Sequence, residues 1–283
     1  MKNRGRFRYP GFIGIGPPRT ATSWMHRVLE GHVGLPRRIK ETHFFSTNYS
    51  QGFDWYLKHF RGYPPSLAVG EIDPNNFDFR ETPARINQHL PDCKVICSLR
   101  NPVQRTYSHY RMLQSLGFVG RQSFERTLES YLGPNMIGSG CYALHLKRWF
   151  EALGRDRVLV TFYDDVEANP QKVIDNITDF IHAPRIDLAQ SAVGMIRINP
   201  RERSALHPHL AARVRRLRDA LKRQQMYRTI ALLDVLVFRY CFGGGEIFPE
   251  LDPQTARALR DHFRPDIEAL EILVERDLSP WKK

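Results

Sequence analysis

The stretch FIGIGPPRTATSWMHRVL, residues 12 to 29 of a 283-residue chain, limits what this sequence can fold into more than any other. A short apolar run passes through a turn of small and polar residues into an amphipathic helical pattern. That order leaves backbone N–H groups without intrahelical partners at the positive end of a helix dipole, where an anion is stabilised. Thr20, Thr22 and Ser23 add hydroxyl donors, and Arg19 adds a cation with a bidentate fork. The turn ends Ala21-Thr22-Ser23 and so lacks the Gly-Lys-Ser/Thr of a nucleotide P-loop. An anion is expected there, with something other than the P-loop lysine facing it.

Three further apolar runs bounded by turns read as buried strands: LAVGEI (67 to 72), CKVICSL (93 to 99) and RVLVTF (157 to 162). Helical patterns fall between and after them, which predicts an α/β fold with a central parallel sheet flanked by helices in three layers. Ligands in such sheets bind at the carboxyl ends of the strands, so the turn after the third run shares an edge with the first. There Arg100 precedes Asn101-Pro102-Val103-Gln104, a cap, a first-turn proline and a capping-box partner in order. Arg105, Ser108 and Arg111 then recur at three-residue spacing on one helical face. Two anion cradles on one edge suit a ligand with two separated charged groups. Further on, Val173, Ile174, Ile177, Phe180 and Ile181 form the apolar face of another helix.

The formal net charge is +12, which points to anionic partners. Residues 197 to 228 hold ten Lys or Arg against Glu202 and Asp219, and Leu210, Val214, Leu217 and Leu221 make an apolar stripe through them. This reads as a basic amphipathic helix, suited to an anionic membrane surface. Cys93, Cys97, Cys141 and Cys241 show no metal-binding or disulfide-framework spacing, so reduced thiols in the cytoplasm are expected. No uncharged stretch reaches the ~20 residues of a spanning helix. The expected protein is cytoplasmic, soluble or membrane-peripheral, and its oligomeric state is not written in the sequence.

Residues 12 to 29 and RNPVQRTYSHY (100 to 110) together resemble the two cofactor motifs of sulfotransferases that use 3′-phosphoadenosine 5′-phosphosulfate (PAPS). KETHFF (40 to 45), GFDWYLKHF (52 to 60), GEIDPNNF (70 to 77), GCYALHLKRWF (140 to 150) and the C-terminal LDPQTARALRDHFRPDIEALEILVERDLSPW are similar to the bacterial and heparan-type branch, in the same order. Residues 185 to 245 match poorly. The resemblance implies one P-loop-like domain over 1 to 283, with a basic helical lid or acceptor-site segment at about 197 to 242. It also implies transfer of a sulfuryl group to a hydroxyl or amine, 3′,5′-ADP as product and no metal.

Carried over by position, the resemblance assigns the 5′-phosphosulfate to Arg19, Thr20, Ala21, Thr22 and Ser23, and sets Trp24 near the adenine. It assigns the 3′-phosphate to Arg100 and Ser108, with Arg201 and Arg203 as candidates for a second grip. The family usually carries Lys at the place of Arg19 and Gly at the place of Ala21. Arginine supplies the charge without offering a proton. Glu41 matches the glutamate that acts as general base in the heparan-type branch, and a carboxylate within reach of the acceptor hydroxyl suits that task. His43 would point the same way in an extended stretch and is the alternative base or an orienting group. Where the branch often has Lys after the glutamate of its GEK-like segment, this chain reads Glu71-Ile72-Asp73. Tyr142, His145, Arg148 and Trp149 recur at helical spacing and fit either an acceptor pocket or, more simply, one helix of the core.

The acceptor is expected to be a small molecule, a lipid or a glycan, with no specific nucleic acid and with membrane contact through 205 to 242 as an option. Two other readings compete. A P-loop kinase or NTPase would share the strand-turn-helix loop but should carry Gly-Lys-Ser/Thr and an acidic magnesium ligand. A basic nucleic-acid or membrane-surface binder would need only the charged segment, and would bind with strong salt dependence.

Overall fold

The computed structural model describes residues 8–190, 203–224, 226–233, 242 and 244–283. Six strands are described: β1 (Phe12–Ile15), β2 (Gly70–Ile72), β3 (Lys94–Leu99), β4 (Val158–Phe162), β5 (Arg203–Ala205) and β6 (Gly244–Ile247). The helices are α1 (Thr22–Leu29), α2 (Phe53–Leu57), α3 (Thr82–His89), α4 (Pro102–Ser115), α5 (Phe124–Leu128), α6 (Gly133–Gly138), α7 (Tyr142–Leu153), α8 (Tyr163–Ala168), α9 (Pro170–Ile181), α10 (Pro208–Arg223), α11 (Tyr227–Leu233) and α12 (Pro253–Val274). They divide into two compact units. One takes in Met1–Arg100, Tyr142–Ile198 and Asp266–Leu278; the other takes in Asn101–Cys141, Asn199–Pro265 and Ser279–Lys283.

The first unit is built on a parallel sheet in the order β2-β1-β3-β4. All four apolar runs of the sequence became its strands. Most of their side chains are buried on both faces, which is why the runs are largely apolar and do not alternate, with Glu71, Ser98 and Thr161 as buried polar exceptions. Val173, Ile174, Ile177 and Ile181 of α9 meet Trp24, Met25 and Val28 of α1, together with Phe12 and Ile96, in one core cluster. Each such side chain fully withdrawn from water contributes about 1.5–3 kcal/mol. The helix starts where Asn169 Oδ1 accepts from Lys172 N at 3.1 Å, with Pro170 as its first residue.

α7 resolves a choice that the sequence left between pocket and core. Tyr142 and Trp149 are wholly buried, with Trp149 Nε1 donating to the Phe77 carbonyl at 2.9 Å and the Tyr142 hydroxyl donating to the Arg100 carbonyl at 2.8 Å. His145 is buried beside them, its ring against Phe77 and its Nδ1 in contact with Arg148. Tyr142, His145 and Trp149 are core, and Arg148 is only half-buried.

In the second unit Asn101 Oδ1 caps α4 by accepting from Val103 N at 3.0 Å and Gln104 N at 3.3 Å, as the sequence predicts. Arg105 departs from expectation. It is fully buried, bonded to Thr106 Oγ1 and the Met136 carbonyl, so it cannot share an open anion-binding face with Ser108 and Arg111. The basic helix forms as α10, but the apolar stripe is corrected. Ala211 and Val214 are buried, whereas Leu210 and Leu217 are 47% and 50% exposed. The small face is the one that fits, because α10 meets the chain at Gly117, where φ is +72° and an added Cβ would lie 2.7 Å from Ala212 N. Arg201, Cys241 and most of 234 to 243 lie outside the described residues. Among the described residues no helix is long and apolar enough to cross a membrane.

Candidate active site

The turn between β1 and α1 is braced from beneath. Gly16 sits at φ +137°, where a Cβ would come within 2.2 Å of the Ser98 carbonyl, so the loop leaves the sheet pressed against β3. Ser98 Oγ donates to the Thr20 carbonyl, and Thr20 Oγ1 donates to the Pro17 carbonyl at 2.9 Å. Thr20 is fully buried, so its hydroxyl is spent on the loop and it can offer a ligand only its backbone. Arg19 and Ala21 both take left-handed conformations, at φ 82° and 71°. Alternation of this kind turns successive N–H groups toward a common anion. Ala21 is also the residue before α1, and no side chain caps that helix end. Thr22 is buried and Ser23 half-buried. Trp24 is only 6% exposed and belongs to the core cluster of α1 and α9, so the sheet takes up most of the ring expected beside an adenine.

The second expected contact begins on the same rim. Ile15 pairs with Cys97, and Arg100 follows three residues later at the end of β3. The Arg100 guanidinium lies 4.1 Å from the ring centre of Tyr163, the first residue of α8. Arg19 and Arg100 are therefore carried by adjacent parallel strands at their carboxyl ends. Ser108 and Arg203 belong to the second unit, where Ser115 Oγ on the helix of Ser108 donates to the Arg203 carbonyl at 3.1 Å. Arg203 Nη1 donates to the Gly245 carbonyl at 3.1 Å, across the β5–β6 pair.

The KETHFF segment reaches this turn from 17 residues away. Lys40 Nζ donates to Ser23 Oγ at 3.2 Å and to Glu41 Oε1 at 2.7 Å. Glu41 Oε2 lies 3.8 Å from His43 Nε2. His43 reaches that position by a route the sequence did not suggest, since its φ is +51° and the stretch is not extended. Asp73 holds it there. Its Oδ2 accepts from His43 N at 2.8 Å, and its Oδ1 lies 3.0 Å from His43 Nδ1. One nitrogen or oxygen atom from each of Glu41, His43 and Asp73 lies within 4.8 Å of the others, and Lys40 supplies the positive charge beside them.

Two titration shifts frame the cluster. Glu71, fully buried on β2, is pushed up to about 8, first by burial and then by the charge of Asp73. Its Oε2 accepts from Thr42 Oγ1 at 2.8 Å, which anchors the segment between Glu41 and His43. Glu71 thus stays protonated at neutral pH. His26 on α1 is lowered to about 4, by burial first and then by Lys40. It adds no charge to the turn at pH 7. Burial also pushes the Cys93 and Cys97 thiols well up, which makes them inert core groups.

Lys40 and Asp73 are the site residues that sequence reasoning passed over. Lys40 was visible as a neighbour of Glu41, but its reach to Ser23 depends on the fold. Asp73 stood in plain sight as a departure from the GEK-like segment, without a sign of its partner 30 residues earlier.

The chain resembles known proteins in both sequence and fold. It is 28% identical over 196 residues to the human bifunctional heparan sulfate N-deacetylase/N-sulfotransferase 2, covering 62% of this chain and 22% of that protein. It is 29% identical over 192 residues to the mouse heparan sulfate glucosamine 3-O-sulfotransferase 6, covering 64% of this chain and 55% of that protein. The chain thus spans about a fifth and about half of these relatives. A sulfotransferase from Alicyclobacillus acidocaldarius has the same fold, with a TM-score of 0.69 at 22% identity over 98% of this chain and 100% of that one. The family model described as a sulfotransferase domain matches residues 11–199, about two thirds of the chain, and the chain belongs to that family.

Proposed function

We propose that the chain transfers a sulfuryl group from PAPS to a hydroxyl or amine of a small-molecule, lipid or glycan acceptor, releasing 3′,5′-ADP. One observation carries the reading: Lys40 Nζ bonds both Ser23 Oγ in the first turn of α1 and Glu41 Oε1, tying the anion-binding turn to the candidate base. Sulfuryl transfer, like phosphoryl transfer, is expected to pass through a loose in-line transition state, so positioning and charge stabilisation dominate catalysis. The chemistry of bond exchange belongs to the donor. The chain supplies the backbone N–H groups of residues 19 to 23, the Arg19 guanidinium and the Lys40 ammonium for charge gathering on the leaving phosphate. Lys40 is the lysine that the turn itself lacks.

Arg100 is assigned the 3′-phosphate. Its stack on Tyr163 restricts the guanidinium before any ligand arrives, which lowers the entropic cost of holding an anion. Ser108 keeps the same assignment from the RNPVQRTYSHY motif, and Arg203, in the poorly matched segment, is a candidate for a second grip. Glu41 and His43 form the pair that takes the proton of the acceptor. No metal enters this reading. The family resemblance to enzymes named for heparan sulfate supports an alcohol or amine acceptor, and the net charge of +12 suits anionic partners. The cysteine spacing supports a cytoplasmic protein, and the basic segment supports a role for 205 to 242 on the acceptor side and at an anionic membrane surface. Incubation of the protein with sulfur-labelled PAPS and a panel of alcohols, amines and glycans tests the reading. Label appearing on an acceptor in proportion to protein supports it. Label remaining on PAPS with every acceptor class contradicts it.

A further inference from the structure

Asp73 is wholly buried, yet it spends its carboxylate on a half-exposed histidine. It follows the last residue of β2 and opens the turn Pro74–Asn76, whose first free N–H, that of Asn75, it accepts at Oδ1 over 3.2 Å. A turn cap of this kind needs one oxygen. The second, Oδ2, accepts from His43 N at 2.8 Å, and Oδ1 also faces the ring at Nδ1 over 3.0 Å. Backbone and ring of His43 are therefore clasped together by one side chain, in a left-handed conformation that residues other than glycine rarely adopt.

The groups facing the imidazole decide its tautomer. An ionised carboxylate can only accept, so Asp73 calls for a proton on Nδ1. The Asn75 amide lies farther off, at 3.3 Å, and its oxygen and nitrogen can exchange places to suit. On the other side of the ring, Nε2 faces Glu41 Oε2 at 3.8 Å, and Lys40 neutralises the other oxygen of that carboxylate. Behind Asp73, burial pushes Glu71 toward its neutral form.

We propose that Asp73 is a positioning residue that holds His43 with its proton on Nδ1, leaving the Nε2 lone pair beside Glu41 to receive the proton of the acceptor. This rests on the sulfuryl-transfer reading. In the step, the acceptor O–H bond breaks and its electron pair forms the new O–S bond. The bridging O–S bond to the 5′-phosphate of the donor breaks, its electrons leaving with the phosphate. The proton goes to Nε2, and the resulting imidazolium lies between the carboxylates of Asp73 and Glu41. Asn at position 73 would still accept from His43 N but would present an N–H to Nδ1, reversing the tautomer.

The test reads the tautomer directly. Protein labelled with nitrogen-15 histidine, with His43 identified by its loss in His43→Gln, should show neutral His43 protonated on Nδ1. Asp73→Asn should move that proton to Nε2 and lower kcat by about 100-fold, with KM for PAPS and affinity for 3′,5′-ADP unchanged. Wild-type protein carrying the proton on Nε2, or Asp73→Asn turning over at the wild-type rate, overturns the proposal. The wild-type spectrum alone decides it if Asp73→Asn does not fold. Failure of the broader reading looks different: wild-type protein would move no label from PAPS, whatever the tautomer of His43.

Discussion

Glu41 Oε2 and His43 Nε2 stand 3.8 Å apart, at the mouth of a turn whose own hydroxyl, Ser23 Oγ, is tied to the same carboxylate through Lys40. On the proposed function the two take up a proton together, from a donor that sits beside the gap and not within it. An acceptor hydroxyl or amine is such a donor.

Glu41→Gln is expected to lower kcat by about 100-fold or more, with the affinity for 3′,5′-ADP changed less than about threefold. The substitution keeps the shape and removes the charge. Calorimetric titration alongside steady-state turnover separates the two effects, and unchanged turnover across pH on a true acceptor would exclude Glu41 from the proton-accepting pair.

Arg100→Ala is expected to weaken 3′,5′-ADP by about 10- to 100-fold, the range for loss of a charge-assisted hydrogen bond of ~1.5–3 kcal/mol. Binding of 5′-ADP should change much less, because that ligand has nothing at the 3′ position. Equal weakening of both would show that Arg100 acts on the fold and not on the 3′-phosphate.

Much of this arrangement was legible in the sequence. The four sheet strands, the cap of α4 and the apolar face of α9 follow from apolar run length, Asn and Pro, and helical spacing, all of them local signals. Long-range pairing was not legible. Arg105 carries the same charge as Arg100, and only the fold shows that one is wholly buried against Met136 while the other stacks on Tyr163. His43 does meet Glu41, though through a left-handed turn pinned by Asp73 and not through strand alternation. The stripe on α10 holds only in part: Val214 is buried as expected, but small Ala211 fits against Gly117, leaving Leu210 and Leu217 half exposed.

Ala21→Gly tests the strain held in the turn. Ala21 sits at φ 71°, a region that glycine enters freely. Relief of about 1–2 kcal/mol, offset by the greater freedom of glycine in the unfolded chain, leaves a gain of about 0.5–1 kcal/mol. Thermal unfolding should shift upward by a few degrees. A lower melting temperature would mean that the turn draws its shape from the methyl group of Ala21.

Glu71 predicts how stability changes with pH. Its folded-state value is raised from 4.5 to about 8, so the folded protein holds a proton that the unfolded chain gives up across that window. Its contribution is complete below about 4.5, declines as pH rises, and levels off above about 8. Glu71→Gln should flatten that decline in melting curves recorded from pH 5 to 9. An unchanged slope would show that Glu71 is already ionised in the folded protein.

Under the proposed function, the two rim turns of the sheet, at Arg19 and at Arg100, accept an adenosine bisphosphate. Thermal stabilisation of the wild-type protein by 3′,5′-ADP, set against 5′-ADP at equal concentration, measures this most directly. A clear rise in melting temperature is expected with the 3′-phosphorylated ligand and little with the other. An equal response to both, or none to either, would contradict it.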